Sequence, residues 1–152
     1  MKTAKRYRRF DPGEEIIDYC NYICYSHIQV LRVNHNTHTK FWDYPAMACI
    51  CHNRECTQKR ASYSHRPTPG EWHTVLAAKM RKDLGPIGSY PIYYGEPKYI
   101  IGQCAEQHAA NLYMKELNEG CLDNLHFSSA MRPRTKQVFP YCNNCKLLFS
   151  SL

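Results

Sequence analysis

Two short stretches in the second half of the chain carry most of the information about its fold. The first is Gly102-Gln103-Cys104-Ala105-Glu106, and the second is Phe139-Pro140-Tyr141-Cys142-Asn143-Asn144-Cys145. Each follows a predicted strand and stands at the predicted start of a helix. Because a helix N-terminus lowers the pKa of a nearby thiol, both places favour the thiolate form that binds metal.

Together the two stretches offer three thiolates and one carboxylate. Cys104, Cys142 and Cys145 are the predicted metal ligands. Three protein ligands with one position left for water are typical of catalytic zinc, whereas structural sites are usually closed by a fourth Cys or His. Glu106 lies two residues after Cys104 and could face the metal without binding it. The pattern therefore predicts a Zn²⁺ site with Glu106 as the catalytic proton carrier.

This arrangement resembles the cytidine-deaminase superfamily, which carries a [His or Cys]-x-Glu motif on one helix and Pro-Cys-x-x-Cys on the next. It is most similar to the YwqJ-like deaminases of polymorphic toxins, because Arg132-Pro133-Arg134-Thr135 lies between the two motifs. The resemblance covers about residues 71–149. One departure is Tyr141, which separates Pro140 from Cys142 where the superfamily has Pro directly before Cys.

The resemblance implies hydrolytic deamination of a base, cytosine rather than adenine, with Glu106 moving protons. Arg132 and Arg134 could contact phosphate, since Arg suits phosphate geometry, or could form a solvated basic strand end. With Thr135 of the same segment they are the candidate substrate-binding residues. If the protein is a toxin-type effector, an immunity protein is an expected partner.

The overall charge of the chain favours a polymer substrate. Its 152 residues hold 20 Lys and Arg against 13 Asp and Glu, a net charge of +7. Such a balance points to an anionic partner, and a free-nucleoside enzyme needs no basic surface. No apolar run approaches the ~18 residues of a membrane span, and no apolar stretch follows the basic start, so we expect neither a membrane span nor a signal peptide. The expected location is the cytoplasm, or a target cell into which a toxin is delivered.

Hydrophobic periodicity and breaker residues predict an α/β protein. We expect a cytidine-deaminase-like mixed sheet with zinc-bearing helices in a catalytic core over 71–152. Residues 1–70 are predicted to be an N-terminal extension, with a helix over about 12–33 and irregular chain after it. The predicted elements of the core are a helix over 71–84, strands over 90–94 and 98–101, a helix over 104–118, a strand over 125–131 and a helix over 143–149.

The remaining cysteines leave several alternatives open. An odd count of nine does not fit a disulfide scaffold. Cys20 and Cys24 share an apolar helix face and are predicted to be buried thiols. A second, structural metal could be held by Cys49, Cys51, His52 and Cys56, although these cysteines could also pair as disulfides in an exported protein.

Other functions also fit the sequence. The chain could be a non-catalytic, zinc-stabilised nucleic-acid-binding module with a closed metal site, or a deaminase of a free nucleoside or nucleotide. Cys142 and Cys145 alone could be a thioredoxin-like redox pair. His108 is predicted to be a core or surface histidine that faces away from the metal.

Overall fold

The computed structural model describes the backbone of residues 8–33, 45–91 and 99–152, and the side chains of the same residues except 27–33. The described chain is a mixed α/β protein with a five-stranded sheet and four α-helices. No helix in these ranges combines the length and the apolar character that crossing a membrane requires. In chain order the elements are α1 (Pro12–Val33), β1 (Ala48–His52), β2 (Lys59–Tyr63), α2 (Thr74–Asp83), α3 (Ala105–Glu116), β3 (His126–Phe127), β4 (Ala130–Met131), β5 (Val138–Phe139) and α4 (Asn143–Leu148).

The sheet has β1 near its centre. The strand order is β2-β1-β4-β5, and β3 also pairs with β1. Every pairing is antiparallel, for example Cys49 with Ser62 and Ala130 with Phe139. The prediction of a mixed sheet is therefore wrong for the described strands, because tight hairpins join β1 to β2 and β4 to β5 and such connections make antiparallel pairs.

Strand β1 separates two layers of helix. Alternate residues of a strand point to opposite faces of the sheet. Ala48 and Ile50 pack with buried residues of α1, whereas Cys51 packs in the larger core beside α3. The result is three layers, with α1 on one face of the sheet and α3 on the other.

The first helix forms where the sequence predicts it. The Asp11 carboxylate accepts a hydrogen bond from the backbone N–H of Gly13 at 2.8 Å, which satisfies one free donor of the first turn. Ile16, Cys20 and Ile23 are buried along one face. Cys20 is a buried free thiol as predicted, and the half-buried Cys24 thiol lies 3.4 Å from the Pro133 carbonyl oxygen.

The prediction of irregular chain over 34–70 is wrong for its described part, because β1 and β2 lie there. All five residues of β1 are buried, so this strand lacks the polar alternation that marks a half-exposed strand. The turn after it is built by Asn53, whose side-chain oxygen accepts from the backbone N–H groups of Thr57 and Gln58, both at 2.9 Å. One sheet thus includes β1 and β2, which precede the predicted core over 71–152, and β3, β4 and β5, which belong to it.

The helices in the second half of the chain follow the predicted order, with shorter bounds. The helices predicted over 71–84, 104–118 and 143–149 are α2, α3 and α4. The strand predicted over 125–131 is two short strands, interrupted at Ser128, whose hydroxyl oxygen accepts from the backbone N–H of Ile50 at 2.9 Å. Of the predicted strands over 90–94 and 98–101, residues 92–94 and 98 lie outside the described residues. The described residues of both, 90–91 and 99–101, are not in strands, so the prediction is wrong for them.

Candidate metal centre

Two of the three predicted metal ligands stand at helix starts. Cys104 directly precedes α3 and Cys142 directly precedes α4, both with extended backbone. Residues at this position often cap the helix with their side chains. Neither thiol makes such a cap hydrogen bond, and Cys145 lies within the first turn of α4.

The three sulfur atoms form a compact cluster. The Cys142 Sγ atom lies 3.2 Å from that of Cys104 and 3.5 Å from that of Cys145, and all three lie within 4.8 Å of one another. Zinc–sulfur bonds of about 2.3 Å in tetrahedral geometry separate two sulfurs by about 3.8 Å. Because a few tenths of an ångström would open the cluster to that spacing, the three residues fit a zinc ion and could bind a metal.

Among the described residues the cluster has three members. Within the described ranges it is the one group of three or more His, Cys, Asp or Glu side chains close enough to hold a metal ion. No fourth donor of these types from the described residues belongs to it. Three protein ligands with one free position are the pattern of a catalytic zinc site.

Negative charge in the cluster concentrates on Cys142. Hydrogen bonds with the Cys104 and Cys145 thiols lower the pKa of the Cys142 thiol to about 3. The same hydrogen bond with Cys142 raises the pKa of the Cys104 thiol, and burial raises that of Cys145. Cys142, the cysteine with the most thiolate character, lines the cavity described below together with Cys104.

Glu106 lies beside the cluster and outside the group of three ligands. It occupies the first turn of α3 and is 5% exposed. Its Oε2 atom lies 3.7 Å from the Cys145 sulfur. Burial is the main cause that raises the pKa of this carboxyl group to about 7. The position fits the predicted role of a proton carrier next to a metal.

Gln107 connects the two metal-bearing segments, and the sequence analysis did not identify it. The side chain is fully buried. Its amide N–H donates to the Cys145 sulfur over 3.8 Å, and its oxygen accepts from the Gly102 backbone N–H at 2.7 Å. Such contacts orient metal ligands and reduce the charge on thiolates. The one sequence feature that could have identified Gln107 is its position directly after Glu106 in the first turn of a helix.

Tyr141, the departure from the superfamily pattern, has a structural role. Its hydroxyl donates a hydrogen bond of 2.7 Å to the carbonyl oxygen of Ser128, which lies between β3 and β4. The extra residue therefore ties the segment just before Cys142 to the sheet.

A cavity of about 580 Å³ opens onto the cluster. This volume lies in the usual range for small-molecule sites. Cys104, Glu106 and Cys142 line it together with Met47 and Ser64, which the sequence analysis assigned to irregular chain. The other lining residues are Ala46, Tyr99, Gln103, Ala105, Ala130, Arg132, Phe139, Pro140, Tyr141, Asn143 and Asn144.

The candidate substrate-binding residues occupy two kinds of position. Arg132 lines the cavity, and its guanidinium carbon lies 4.7 Å from the centroid of the Phe139 ring. Arg134 and Thr135 are exposed in the loop between β4 and β5 and do not line the cavity. The Thr135 hydroxyl accepts a hydrogen bond from the Gln137 backbone N–H at 3.3 Å.

The structure does not bring the four residues of the predicted second metal site together. Cys49 and Cys51 alternate with Ile50 and share the face of β1 toward α3, where the Cys49 thiol lies 3.4 Å from the Ser128 carbonyl oxygen. His52 lies on the opposite face, with its Nδ1 atom 2.7 Å from the Asn53 carbonyl oxygen and 3.7 Å from the Cys56 sulfur. The alternation of side chains along β1 separates the set.

His108 is a core histidine that faces away from the metal cluster. It is buried, and its Nε2 atom lies 2.8 Å from the His65 carbonyl oxygen. The two imidazole rings stack with centroids 3.5 Å apart. Burial lowers the pKa of His108 to about 4, so the ring is neutral near pH 7.

No family model matches this chain, and the comparisons with curated proteins and with solved structures likewise found no match. Its function must therefore be inferred from the geometry of the site.

Proposed function

We propose that this protein is a zinc-dependent hydrolytic deaminase that acts on a base in nucleic acid. The observation that carries the proposal is the open three-thiolate cluster, with a buried carboxylate beside it, at the wall of a cavity of about 580 Å³. Cytosine as the target, and a role as a toxin-type effector with an immunity protein, rest on the sequence resemblance alone.

The order of elements supports the deaminase interpretation. A helix that begins with Cys-Ala-Glu, the short strands β3 to β5 and a helix that begins with a Cys-x-x-Cys pair follow one another along the chain. This is the order that the resemblance implies. The hairpin expected over 90–101 before the first motif lies partly outside the described residues, and its described residues are not in strands.

The residues divide the chemistry among them. Cys104, Cys142 and Cys145 would hold the zinc ion, and a zinc ion bound in such a site supplies an activated water as the nucleophile. Glu106 would accept a proton from the nucleophile and would deliver protons to the ring nitrogen and to the leaving amine. The base loses ammonia and gains a carbonyl oxygen from water. Glu106 is one of the residues that line the cavity.

The alternative of a non-catalytic zinc module requires a closed metal site. The three-membered cluster and the cavity beside it favour an open site. X-ray absorption of the zinc-loaded protein should detect three sulfur ligands and one light-atom ligand, without the outer-shell scattering of an imidazole ring. Four protein ligands would support the binding module instead.

The activity test is a conversion assay on zinc-loaded protein. The substrates are single-stranded DNA, double-stranded DNA, RNA and free nucleosides, read by sequencing and by mass change. We expect conversion of at least one polymer by the wild type and none by Glu106→Ala. Conversion of free nucleosides alone would favour the alternative of a nucleoside or nucleotide deaminase.

A further inference from the structure

The C-terminal part of the chain concentrates positive charge next to the cavity. From Asn124 to Leu152 there are four Lys and Arg residues and no Asp or Glu. Three of the four are Arg132, Arg134 and Lys136, which lie in the loop that joins β4 to β5. We call the segment from Arg132 to Phe139 the basic hairpin.

Arg132 connects this charge to the cavity. Ala130 and Arg132 are two residues apart along the chain, so their side chains lie on the same face of the hairpin. Ala130 pairs with Phe139 on the neighbouring strand, and the side chains of Ala130, Arg132 and Phe139 all line the cavity. The guanidinium group lies over the Phe139 ring, which fixes its position. A guanidinium held by its face keeps its N–H edge directed outward, which suits a phosphate oxygen.

Hydrogen bonds within the basic hairpin hold its shape. The Arg132 backbone N–H donates to the Gln137 carbonyl at 2.9 Å, and that of Lys136 donates to the Arg132 carbonyl at 2.7 Å. The Thr135 hydroxyl closes the loop by accepting from Gln137. A surface fixed in this way loses little conformational entropy on binding. Thr135 therefore shapes the loop, and the arginines supply the charge.

Two other residues of the cavity, Glu106 and Tyr99, favour a single-stranded over a double-stranded nucleic acid. Glu106 is almost fully buried, and a paired base within a duplex cannot reach a reacting group at that depth unless it leaves the stack. Tyr99 also lines the cavity and is half exposed, so its ring can stack on a base next to the target.

We infer that the basic hairpin holds the sugar-phosphate backbone of single-stranded nucleic acid, with Arg132 on the phosphate nearest the target base and Arg134 on a neighbouring phosphate. This inference rests on the proposed function. It adds the element that selects a polymer over a free nucleoside and a single strand over a duplex.

The experiment measures binding without turnover. Zinc-loaded Glu106→Ala protein is titrated against a fluorescent single-stranded oligonucleotide that contains cytosine, at several salt concentrations. Arg132→Gln and Arg134→Gln are compared with Arg81→Gln, a basic residue in the last turn of α2. Zinc content serves as the check that each variant is folded.

Each hairpin variant should reduce the steepness of log K against log salt by about 0.7, the value for one phosphate contact on a single strand. Arg81→Gln should leave the slope unchanged, and a duplex of the same sequence should bind more weakly. Equal slopes in all three variants, or tighter binding of the duplex, would overturn the inference. Because this assay needs no catalysis, the expected slopes together with a zinc-loaded wild type that converts no substrate would refute the proposed function and leave the inference standing.

Discussion

Gly102 occupies the turn just before the first metal-bearing helix, and its replacement by alanine should disturb both stability and metal binding. Its φ is +90°, a conformation that residues with a Cβ rarely adopt. An added Cβ would lie 2.9 Å from the Pro67 Cβ, 3.0 Å from Ile87 Cγ2 and 3.1 Å from Trp72 Cζ2. The first of these separations is closer than such atoms approach, so the turn or its neighbours must move.

Gly88 provides a matched control for this change. Its φ is +91°, but an added Cβ would meet nothing within 4 Å. Gly88→Ala should therefore cost only the backbone strain, about 1–2 kcal/mol. Gly102→Ala should cost the same strain plus about 1–3 kcal/mol for overpacking. The gap between the two variants corresponds to about 2–12 °C in Tm for a chain of this size.

The assays are thermal and urea unfolding of both variants, followed by zinc competition with a colorimetric chelator. Because the Gly102 N–H holds Gln107 and Cys104 lies two residues on, Gly102→Ala should also weaken zinc binding, whereas Gly88→Ala should not. Equal losses of stability in the two variants would refute the packing around Gly102. Unchanged zinc affinity in a destabilised Gly102→Ala would refute the link between this turn and the metal cluster.

Three further predictions concern the cluster and the buried histidine. Gln107→Leu should weaken zinc binding about 10–100-fold in chelator competition, because it removes the N–H donor to Cys145 and the acceptor for Gly102; wild-type affinity would contradict this. Cys142→Ser should lower the zinc content of purified protein, whereas Cys121→Ser, at an exposed cysteine outside the cluster, should not. His108 should destabilise the fold in acid, because its folded pKa of about 4 lies below its ordinary 6.5 and the unfolded chain binds the proton first. Between pH 7 and pH 5, the free energy of unfolding measured with urea should fall by about 2 kcal/mol more in the wild type than in His108→Gln. Titration of Glu106 changes stability in the opposite direction, but it does so in both proteins and therefore cancels when they are compared. Equal pH dependence of the unfolding free energy in the wild type and His108→Gln would refute the effect.

Local signals in the sequence account for the helices and for the metal cluster. Pro12 and the two Glu residues after it mark the start of α1, and α3 and α4 begin directly after the predicted ligands Cys104 and Cys142. A helix start is decided by a few adjacent residues, so it can be predicted from the sequence. The combination of the two motifs predicted that Cys104, Cys142 and Cys145 share a metal, and the structure brings the three sulfur atoms together.

The sheet was less predictable, because its pairings are not local. Strand β1 is buried throughout and carries no alternation of polar residues. Its partners include Met131 and Phe127, which are more than 70 positions away along the chain. The same limit applies to Gln107 and Tyr141. Their positions in the motifs are visible in the sequence, but their partners Cys145 and Ser128 become evident only once the chain is folded.

The most direct test of the central claim measures zinc content and base deamination on the same samples of wild type and Glu106→Gln. If Glu106 moves protons beside an open zinc site, both proteins should carry equal zinc, and the variant should lose about 10²–10⁴-fold in turnover. Equal turnover by the two proteins would contradict the role of Glu106. A fully zinc-loaded wild type that converts none of the substrates would contradict the proposed deaminase function.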